Sequence, residues 1–270
     1  MSALDLLDEF GFEAAAVVLG PEGVRAQRGD LRLVWAWRSV TKTVTGLACT
    51  IALQEGRVHL DDEAGPPGST LRHLLTHASG CTYESPTTLQ PPGQRRHYSN
   101  YGIDEASRHV ERAVRRDFGG WVVERVAGPL GMDHLEWTGS ASVGAMGTLE
   151  DLSLFAAEML RPTLLEPEWH RQMTTPQLPE LEGIMPGFGK QTPNPFGLGV
   201  EVRGTKSPHW TGAHNSEQTF GHFGMRGSAF WVDPVADLAL VVGTSHDFCD
   251  AHRRVMPQLS DAVLAEHGRA

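Results

Sequence analysis

The chain has 270 residues, of which 40% are hydrophobic, so it can bury a sizeable core without disulfides or a structural metal. It carries 23 Lys and Arg against 33 Asp and Glu, which gives a net charge of −10. No run of basic residues offers a track for phosphates, so a nucleic acid partner is not expected. The cysteines Cys49, Cys81 and Cys249 lack the paired spacing of a zinc site or a redox motif, and reduced, mostly buried thiols are expected.

The start of the chain does not have the pattern of a signal peptide. Residues 1–10 include Asp5, Asp8 and Glu9, where a signal peptide has a basic start followed by an uninterrupted apolar stretch. No later segment is apolar for long enough to cross a bilayer. The sequence therefore predicts a cytoplasmic protein with no membrane partner.

The first part of the chain predicts strands followed by a buried helix. Strands are expected at 13–20, 23–27 and 31–37, separated by Gly, Pro and Asp turns. Apolar residues then recur at spacings of three and four from Ser39 to Glu55. This spacing predicts a helix that has Ser39 at its N-terminus.

The middle of the chain is rich in helices and loops, and strands return near its end. Helices are predicted at 71–77, 104–116, 121–126, 149–160 and about 251–265, with Thr148 and Asp151 forming a cap for the fourth of them. Further strands are predicted at 197–202, 227–232 and 238–242.

This order of elements predicts an α+β fold in a single domain. An antiparallel β-sheet flanked by helices would be built from both chain termini, over about 1–60 and 195–270. An all-helical lobe over about 61–194 would be inserted between the two parts of the sheet.

Ser39 and Lys42 form the only S-x-x-K pattern in the chain. Residues three apart on a helix lie on one face, with their side chains in reach of each other. A serine hydroxyl needs an adjacent base, and lysine is one when burial lowers its pKa toward neutrality; Val40, Val44 and Leu47 supply that apolar setting. The helix N-terminus also directs free N–H groups toward an oxyanion at Ser39. A helix cap followed by a surface lysine is the alternative interpretation.

Tyr98 and Asn100 form the only Y-x-N pattern, in a loop between predicted helices from which side chains can project into a cleft. Tyr98 fits a proton relay to the leaving group, and Asn100 fits a group that binds a substrate amide or holds Lys42. The alternative is an ordinary helix start with Ser99 or Asn100 as the N-cap.

His222 stands between glycines in the segment 221–224, just before a predicted strand. It is expected at a sheet edge, where an extended substrate would pair with the backbone. Gly224 and Met225 are then expected at the substrate site, with the Met225 N–H as the second oxyanion donor. A histidine between glycines also fits an ordinary turn.

These three elements, in this order, resemble the serine β-lactamase and penicillin-binding superfamily, which carries S-x-x-K and K-T-G signatures. The similarity is greater to its class C β-lactamase-like branch, which includes esterases and D,D-peptidases and has Y-x-N as the middle motif. Supporting segments run in register over nearly the whole chain: 56–62, 71–80, 92–93, 129–132 and 144–148.

The resemblance implies a role for each residue of the three motifs. Ser39 would be the acylated nucleophile, Lys42 its base and Tyr98 the acid/base partner. Asn100 would be a positioning group, and His222 would correspond to the lysine of K-T-G. The acyl-Ser39 ester would be hydrolysed by water, and the chemistry needs neither a cofactor nor a metal.

His222 changes the expected substrate, because histidine is mostly neutral at pH 7 and attracts a carboxylate less than lysine does. Arg226 either restores a positive charge there or is a solvated surface arginine. A small-molecule ester or amide is therefore the expected substrate. A β-lactamase or D,D-peptidase, an acyl transferase, and a binding or regulatory protein without turnover are the alternatives. The sequence does not determine the oligomeric state.

Two other histidine clusters have structural alternatives. His73 and His77 are four apart on a predicted helix, a spacing that can bind zinc, but no third ligand accompanies them and metal binding is not expected. The segment from His209 to His214 either lines a pocket or packs Trp210 under the sheet. The loops between Ser39 and Tyr98 are shorter than in typical members of the family that the chain resembles, which predicts an open or differently shaped pocket.

Overall fold

The computed structural model describes residues 2–268 of the chain. Its strands are β1 Ala14–Gly20, β2 Gly23–Arg28, β3 Val34–Ala36, β4 Glu136–Trp137, β5 Ala145–Thr148, β6 Gly183–Met185, β7 Gly189–Gln191, β8 Glu201–Val202, β9 Phe220–Phe223, β10 Ala229–Asp233 and β11 Leu238–Thr244. Its α-helices are α1 Thr41–Gln54, α2 Leu71–Leu75, α3 Asn100–Val114, α4 Phe118–Val122, α5 Gly128–Leu130, α6 Leu149–Leu160, α7 Pro167–Thr174 and α8 Asp250–His267. Short 3-10 helices span Ala3–Phe10 and Arg38–Val40, and a π-helical turn, Val123–Ala127, joins α4 to α5.

A six-stranded antiparallel sheet is built from both ends of the chain, as the sequence predicts. Its strand order is β2-β1-β11-β10-β9-β8, so the first strand lies beside the last. The pairing of β1 with β11 runs from Ala14 opposite Thr244 to Leu19 opposite Ala239. Both strands are apolar almost without interruption, because both faces of the sheet are covered.

Two hydrophobic cores lie on opposite faces of this sheet. Successive side chains of a strand point to opposite faces, so Val17 and Val241 belong to one core while Val18 and Leu240 belong to the other. The first core packs the sheet against α1, α6 and the inserted helices. The second packs it against α8 and the N-terminal 3-10 helix.

The inserted segment is not all-helical, which corrects the expectation for residues 61–194. It also contains four short strands: β4 and β5, which pair with β3 in a separate three-stranded sheet, and the hairpin of β6 and β7. The strand predicted at 31–37 therefore joins this smaller sheet and not the main one. Runs of two to four paired residues carry too little periodicity to be detected in the sequence.

Other elements differ from the predicted ones mainly at their ends. α2 stops at Leu75 and does not continue to His77, which has a φ of 58° that a right-handed helix excludes. β9 and α7 are not predicted at all. Within residues 2–268, no helix has the length and apolar character needed to cross a membrane.

Candidate active site

Ser39 and Lys42 lie together in the interior, at the start of the most deeply buried helix. Ser39 is in the 3-10 turn Arg38–Val40 that leads into α1, so it precedes the α-helix and is not its first residue. Lys42 follows on the first turn of α1 and donates from Nζ to Ser39 Oγ at 3.4 Å. The S-x-x-K spacing therefore brings the two side chains into contact, as predicted. Arg38 has a φ of 48°, a strained conformation for a residue with a side chain.

Lys42 is fully buried, and its Nζ lies within hydrogen-bond distance of three protein oxygens. Besides Ser39, Nζ donates to Asn100 Oδ1 at 2.6 Å and to the carbonyl oxygen of Ser142 at 2.9 Å. Burial lowers the pKa of Lys42 to about 7, against the opposing effect of the negative charges on Asp104 and Glu84. Near neutral pH a large fraction of this lysine is therefore uncharged and can accept a proton.

Asn100 is oriented by a second partner that sequence patterns do not reveal. Its Nδ2 donates to Glu84 Oε1 at 2.8 Å, which turns its carbonyl oxygen toward Lys42. Asn100 is the first residue of α3, and the N-cap is Ser99, whose Oγ accepts from the Gly102 N–H at 3.0 Å. The cap and the polar site thus occupy neighbouring residues, and neither interpretation of the motif excludes the other.

Tyr98 is half-buried, and its phenol lies between Lys42 and His222. Lys42 Nζ lies 4.9 Å from the centre of its ring, and its hydroxyl lies 3.2 Å from His222 Nε2. Burial raises the pKa of Tyr98 well above its ordinary value, although a hydrogen bond with the Ser39 hydroxyl lowers it in part. Tyr98 is therefore a neutral phenol that can donate a proton. The affinity of Lys42 for a proton, in contrast, is lower than that of an ordinary lysine.

His222 lies in β9 and is neutral at pH 7. Its Nδ1 is 2.9 Å from the carbonyl oxygen of Phe223, so Nδ1 carries the hydrogen and Nε2 accepts from the Tyr98 hydroxyl. Burial, together with the charge of Lys42, lowers the pKa of His222 to about 4. Its position beyond the end of the outer strand fits the expected sheet edge, since β8 pairs with β9 only at Gly221 and Phe220.

Gly224 and Met225 follow β9 and approach the segment before Ser39. A Cβ added at Gly224 would lie 2.4 Å from the Trp37 carbonyl oxygen, so only glycine fits this contact. Met225 lines the same cavity of about 390 Å³ as Ser39, Tyr98 and His222. The structure therefore brings all seven predicted site residues into one region of the molecule. Met225 is 52% exposed, which shows that this cavity opens to solvent.

His77 is a residue of this site whose position the sequence did not indicate. Its Nδ1 accepts from the Ser99 N–H at 3.2 Å, its carbonyl oxygen accepts from the His97 N–H at 2.8 Å, and its ring centre lies 4.4 Å from that of Tyr98. The histidine thus contacts Tyr98 directly and both of its chain neighbours. Since α2 ends before His77, it does not share a helical face with His73, and the zinc pattern does not form.

Residues 209–212 are buried and pack under the sheet, Ala213 and His214 are exposed, and none of the six lines the Ser39 cavity. Trp210 is buried in the second core, and both Trp210 Nε1 and His209 Nε2 contact the carboxylate of Glu201, at 2.8 and 3.0 Å. Lys206 Nζ donates to the same carboxylate at 2.8 Å. Among residues 2–268, no group of three or more His, Cys, Asp and Glu side chains could hold a metal ion.

Arg226 and the three cysteines do not line the Ser39 cavity. Arg226 pairs with Asp247 at 3.0 Å on the surface, so it is the solvated arginine of the two alternatives. Cys49 and Cys81 are buried free thiols, and Cys249 is half-buried.

Comparison with known proteins identifies the family. The family model described as Beta-lactamase matches residues 16–264. A crystal structure of a β-lactamase from Mycobacterium bovis is 48% identical, with a TM-score of 0.97, and the match covers 99% of this chain and 100% of that one.

More distant structures share the fold alone. Simvastatin synthase from Aspergillus terreus is 17% identical with a TM-score of 0.82, and the match covers 98% of each chain. EstCE1, described as a hydrolase with promiscuous acyltransferase activity, is 16% identical with a TM-score of 0.79, over 97% of this chain and 96% of that one. No protein with a curated description matches the chain. The family match and the 48% identical structure each span nearly the whole chain, which therefore belongs to the β-lactamase family within the serine β-lactamase and penicillin-binding protein superfamily.

Proposed function

We propose that this protein is a serine hydrolase that cleaves a carboxylic ester or amide through an acyl-Ser39 intermediate. The observation that carries the proposal is the contact between Lys42 Nζ and Ser39 Oγ, at 3.4 Å, in an interior that lowers the pKa of Lys42 to about 7. A nucleophile that contacts a base with a pKa near the working pH is the arrangement that acyl transfer requires.

The residues of the site divide the proton transfers between them. Neutral Lys42 takes the proton of Ser39 as Oγ attacks the carbonyl carbon, and the backbone N–H groups of Ser39 and Met225 would hold the oxyanion. The phenol of Tyr98 gives its proton to the leaving oxygen or nitrogen, and Lys42 returns the serine proton to Tyr98. Water then hydrolyses the acyl ester by the same transfers in reverse. Asn100 keeps Lys42 in place, because its carbonyl oxygen accepts from Nζ at 2.6 Å.

The substrate is expected to lack a carboxylate next to the reacting bond. His222 is neutral where the superfamily signature has a lysine, and its Nε2 is engaged with Tyr98. The surface position of Arg226 supports the same conclusion, since its guanidinium is paired with Asp247. A neutral ester or amide is therefore favoured over a β-lactam or a peptide ending in a free carboxylate.

Turnover of β-lactams is the second candidate, and the 48% identical β-lactamase favours it. Transfer of the acyl group to an acceptor other than water uses the same intermediate and is described for EstCE1. A binding or regulatory protein is the remaining alternative, in which Ser39 is acylated and not released.

Steady-state hydrolysis of phenyl acetate, nitrocefin and nitrocefin methyl ester separates these candidates. The proposal expects turnover of phenyl acetate, and a higher kcat/KM for the methyl ester than for nitrocefin with its free carboxylate. Ser39→Ala should abolish turnover, and Ser153→Ala, a serine of α6 outside the cavity, should not. Preference for nitrocefin over its methyl ester would identify a β-lactamase. Turnover that survives in Ser39→Ala would contradict the proposed nucleophile.

A further inference from the structure

A second cavity of about 410 Å³ adjoins the one that contains Ser39. It lies between the loop that follows Cys81 and the β6–β7 hairpin. Tyr83, Tyr98 and Pro186 line both cavities, so Tyr98 lies where the two meet. Two adjoining cavities of this size provide more room than the reacting ester group needs.

The walls of the second cavity offer apolar contact and few free polar groups. Leu89 and Ile184 are each 60% exposed there, and Tyr83 is 49% exposed. Among the nine large hydrophobic side chains that are exposed in the described part of the chain, four surround these two cavities: Tyr83, Leu89, Ile184 and Met225. Apolar side chains clustered at a groove mark a binding surface more often than an accidental patch.

Four polar side chains that line the second cavity already have partners within the protein: Thr82, Arg95, Arg96 and His97. Thr82 Oγ1 contacts Ser85 Oγ at 2.7 Å, and His97 Nε2 contacts Gln90 Oε1 at 3.2 Å. The guanidinium of Arg95 pairs with Glu182 at 3.6 Å. A peptide or a sugar would need such groups to be free for hydrogen bonds, whereas a hydrocarbon chain does not.

We infer that the second cavity binds an alkyl chain carried by the leaving group of the substrate. This inference rests on the proposed function and names the substrate class more closely, as an ester of an apolar alcohol. The position of Tyr98 indicates which part of the substrate enters this cavity. Its phenol donates the proton to the leaving oxygen, so that oxygen sits over Tyr98, and the chain attached to it continues past Tyr83 and Pro186.

The bond changes are those of ester cleavage and need no further reactant than water. The Ser39 Oγ–carbonyl bond forms, the bond from the carbonyl carbon to the alcohol oxygen breaks, and the alcohol leaves with the proton of Tyr98. The acyl group stays on Ser39 in the first cavity, beside Phe223 and Met225. The apolar alcohol is released from the second cavity before water enters.

Two matched ester series test the inference: acetates of ethanol, butanol, hexanol and octanol, and ethyl esters of the acids of the same lengths, all below their micelle-forming concentrations. The acetate series should gain on the order of 2-fold in kcat/KM per methylene, because each added methylene is partly removed from water. The acid series should level off after the shorter members. Ile184→Asp should flatten the acetate series. Val24→Asp, which changes a β-branched strand residue of similar exposure, 58% against 60%, should keep the wild-type ratio of octyl to ethyl acetate.

The outcomes separate this inference from the proposed function. If neither phenyl acetate nor any member of the two ester series is hydrolysed above the Ser39→Ala control, the proposed function fails. If short esters are cleaved but the acetate series is flat, or if the gain appears in the acid series, the leaving-group assignment is overturned. The acetate series could also be flat while sedimentation shows a dimer that the substitution Ile184→Asp dissociates. That result would show that a second copy of the chain covers the second cavity, and it also overturns the inference.

Discussion

In the proposed mechanism Lys42 has to be neutral before it can accept the proton of Ser39, so its pKa would set the pH range of the reaction. Burial lowers that pKa to about 7, and the charges on Asp104 and Glu84 keep it from falling further. Below this value the lysine is charged and the base is lost. Above it the base is free, and Tyr98 is still protonated because its pKa is raised.

We therefore expect kcat/KM for a neutral ester to rise with pH through about 7 and then to level off. Below the midpoint the fall should be about tenfold per pH unit, because one proton is involved. Lys42→Arg, which keeps the charge and cannot lose it, should reduce kcat/KM by about 10²- to 10⁴-fold at every pH. Rates that are independent of pH from about 5 to about 9 would show that Lys42 is not the base.

His77 should control the position of Tyr98 without touching the substrate carbonyl. His77→Asn keeps an acceptor for the Ser99 N–H and tolerates the φ of 58°, whereas His77→Phe keeps an aromatic ring and loses the acceptor. We expect kcat to fall by about 10- to 100-fold in His77→Phe, with KM little changed and His77→Asn closer to wild type. Equal loss in both variants, or a change confined to KM, would exclude this positioning role.

The polar site was only partly predictable at this scale. Ser39 with Lys42, and Tyr98 with Asn100, stand out because each pair is encoded within a few residues of local sequence. Glu84 and Ser142 did not stand out, and His77 stood out only as half of a possible zinc pair. Each acts on a residue far away in the chain, as the bond from Lys42 to the Ser142 carbonyl shows, and no local pattern records such a contact.

The start of helix α6 is set by a local sequence pattern. Thr148 and Asp151 form the capping box that the sequence predicts, with Thr148 Oγ1 donating to Asp151 Oδ2 at 2.8 Å and accepting from the Asp151 N–H at 3.0 Å. Both side chains are buried, so neither group can turn to water instead.

Thr148→Ala should lower the free energy of unfolding by about 1 kcal/mol, within a range of ~0.5–2 kcal/mol. The physical reason is that the Asp151 N–H and carboxylate both lose a partner in a buried place. Urea denaturation of Thr148→Ala and of Thr148→Ser, which retains the hydroxyl, measures the difference. Equal destabilisation in the two variants would mean that the methyl group and its packing matter and the cap does not.

Elements with weak local signals were not predicted. β9 is four residues long and contains Gly221, which weakens the strand pattern, although its pairing with β10 places His222. The end of α2 depends on the αL conformation of His77, a residue type without a strong preference for it. In both cases tertiary contacts, and not local preference, decide the structure.

At the scale of the whole molecule, the main sheet connects the two cores. Strands from both ends of the chain alternate their side chains between the two faces, so β1 and β11 each contribute to both cores. That the sheet draws strands from both termini could be predicted from the order of elements. The pairing of residues 14–19 with residues 239–244 could not be predicted from the sequence, because strand order depends on contacts between distant segments.

We expect a single cooperative unfolding transition for this reason. Tryptophans report on both cores, with Trp37 and Trp121 in the first and Trp210 and Trp231 in the second. Urea curves from tryptophan fluorescence and from far-UV circular dichroism should therefore coincide. Two separated transitions would show that the sheet and the inserted segment unfold independently.

Ser39 is proposed to carry the acyl group, and trapping of that intermediate would identify the nucleophile. The protein is mixed with p-nitrophenyl acetate, quenched in acid during turnover and examined by intact mass and peptide mapping, beside Ser39→Ala and the Tyr98→Phe variant that lacks the proton donor. We predict one acetyl group per chain, on the peptide that contains Ser39, and none on Ser39→Ala. Acetylation at another residue, or ester turnover that survives in Ser39→Ala, would exclude Ser39 as the nucleophile.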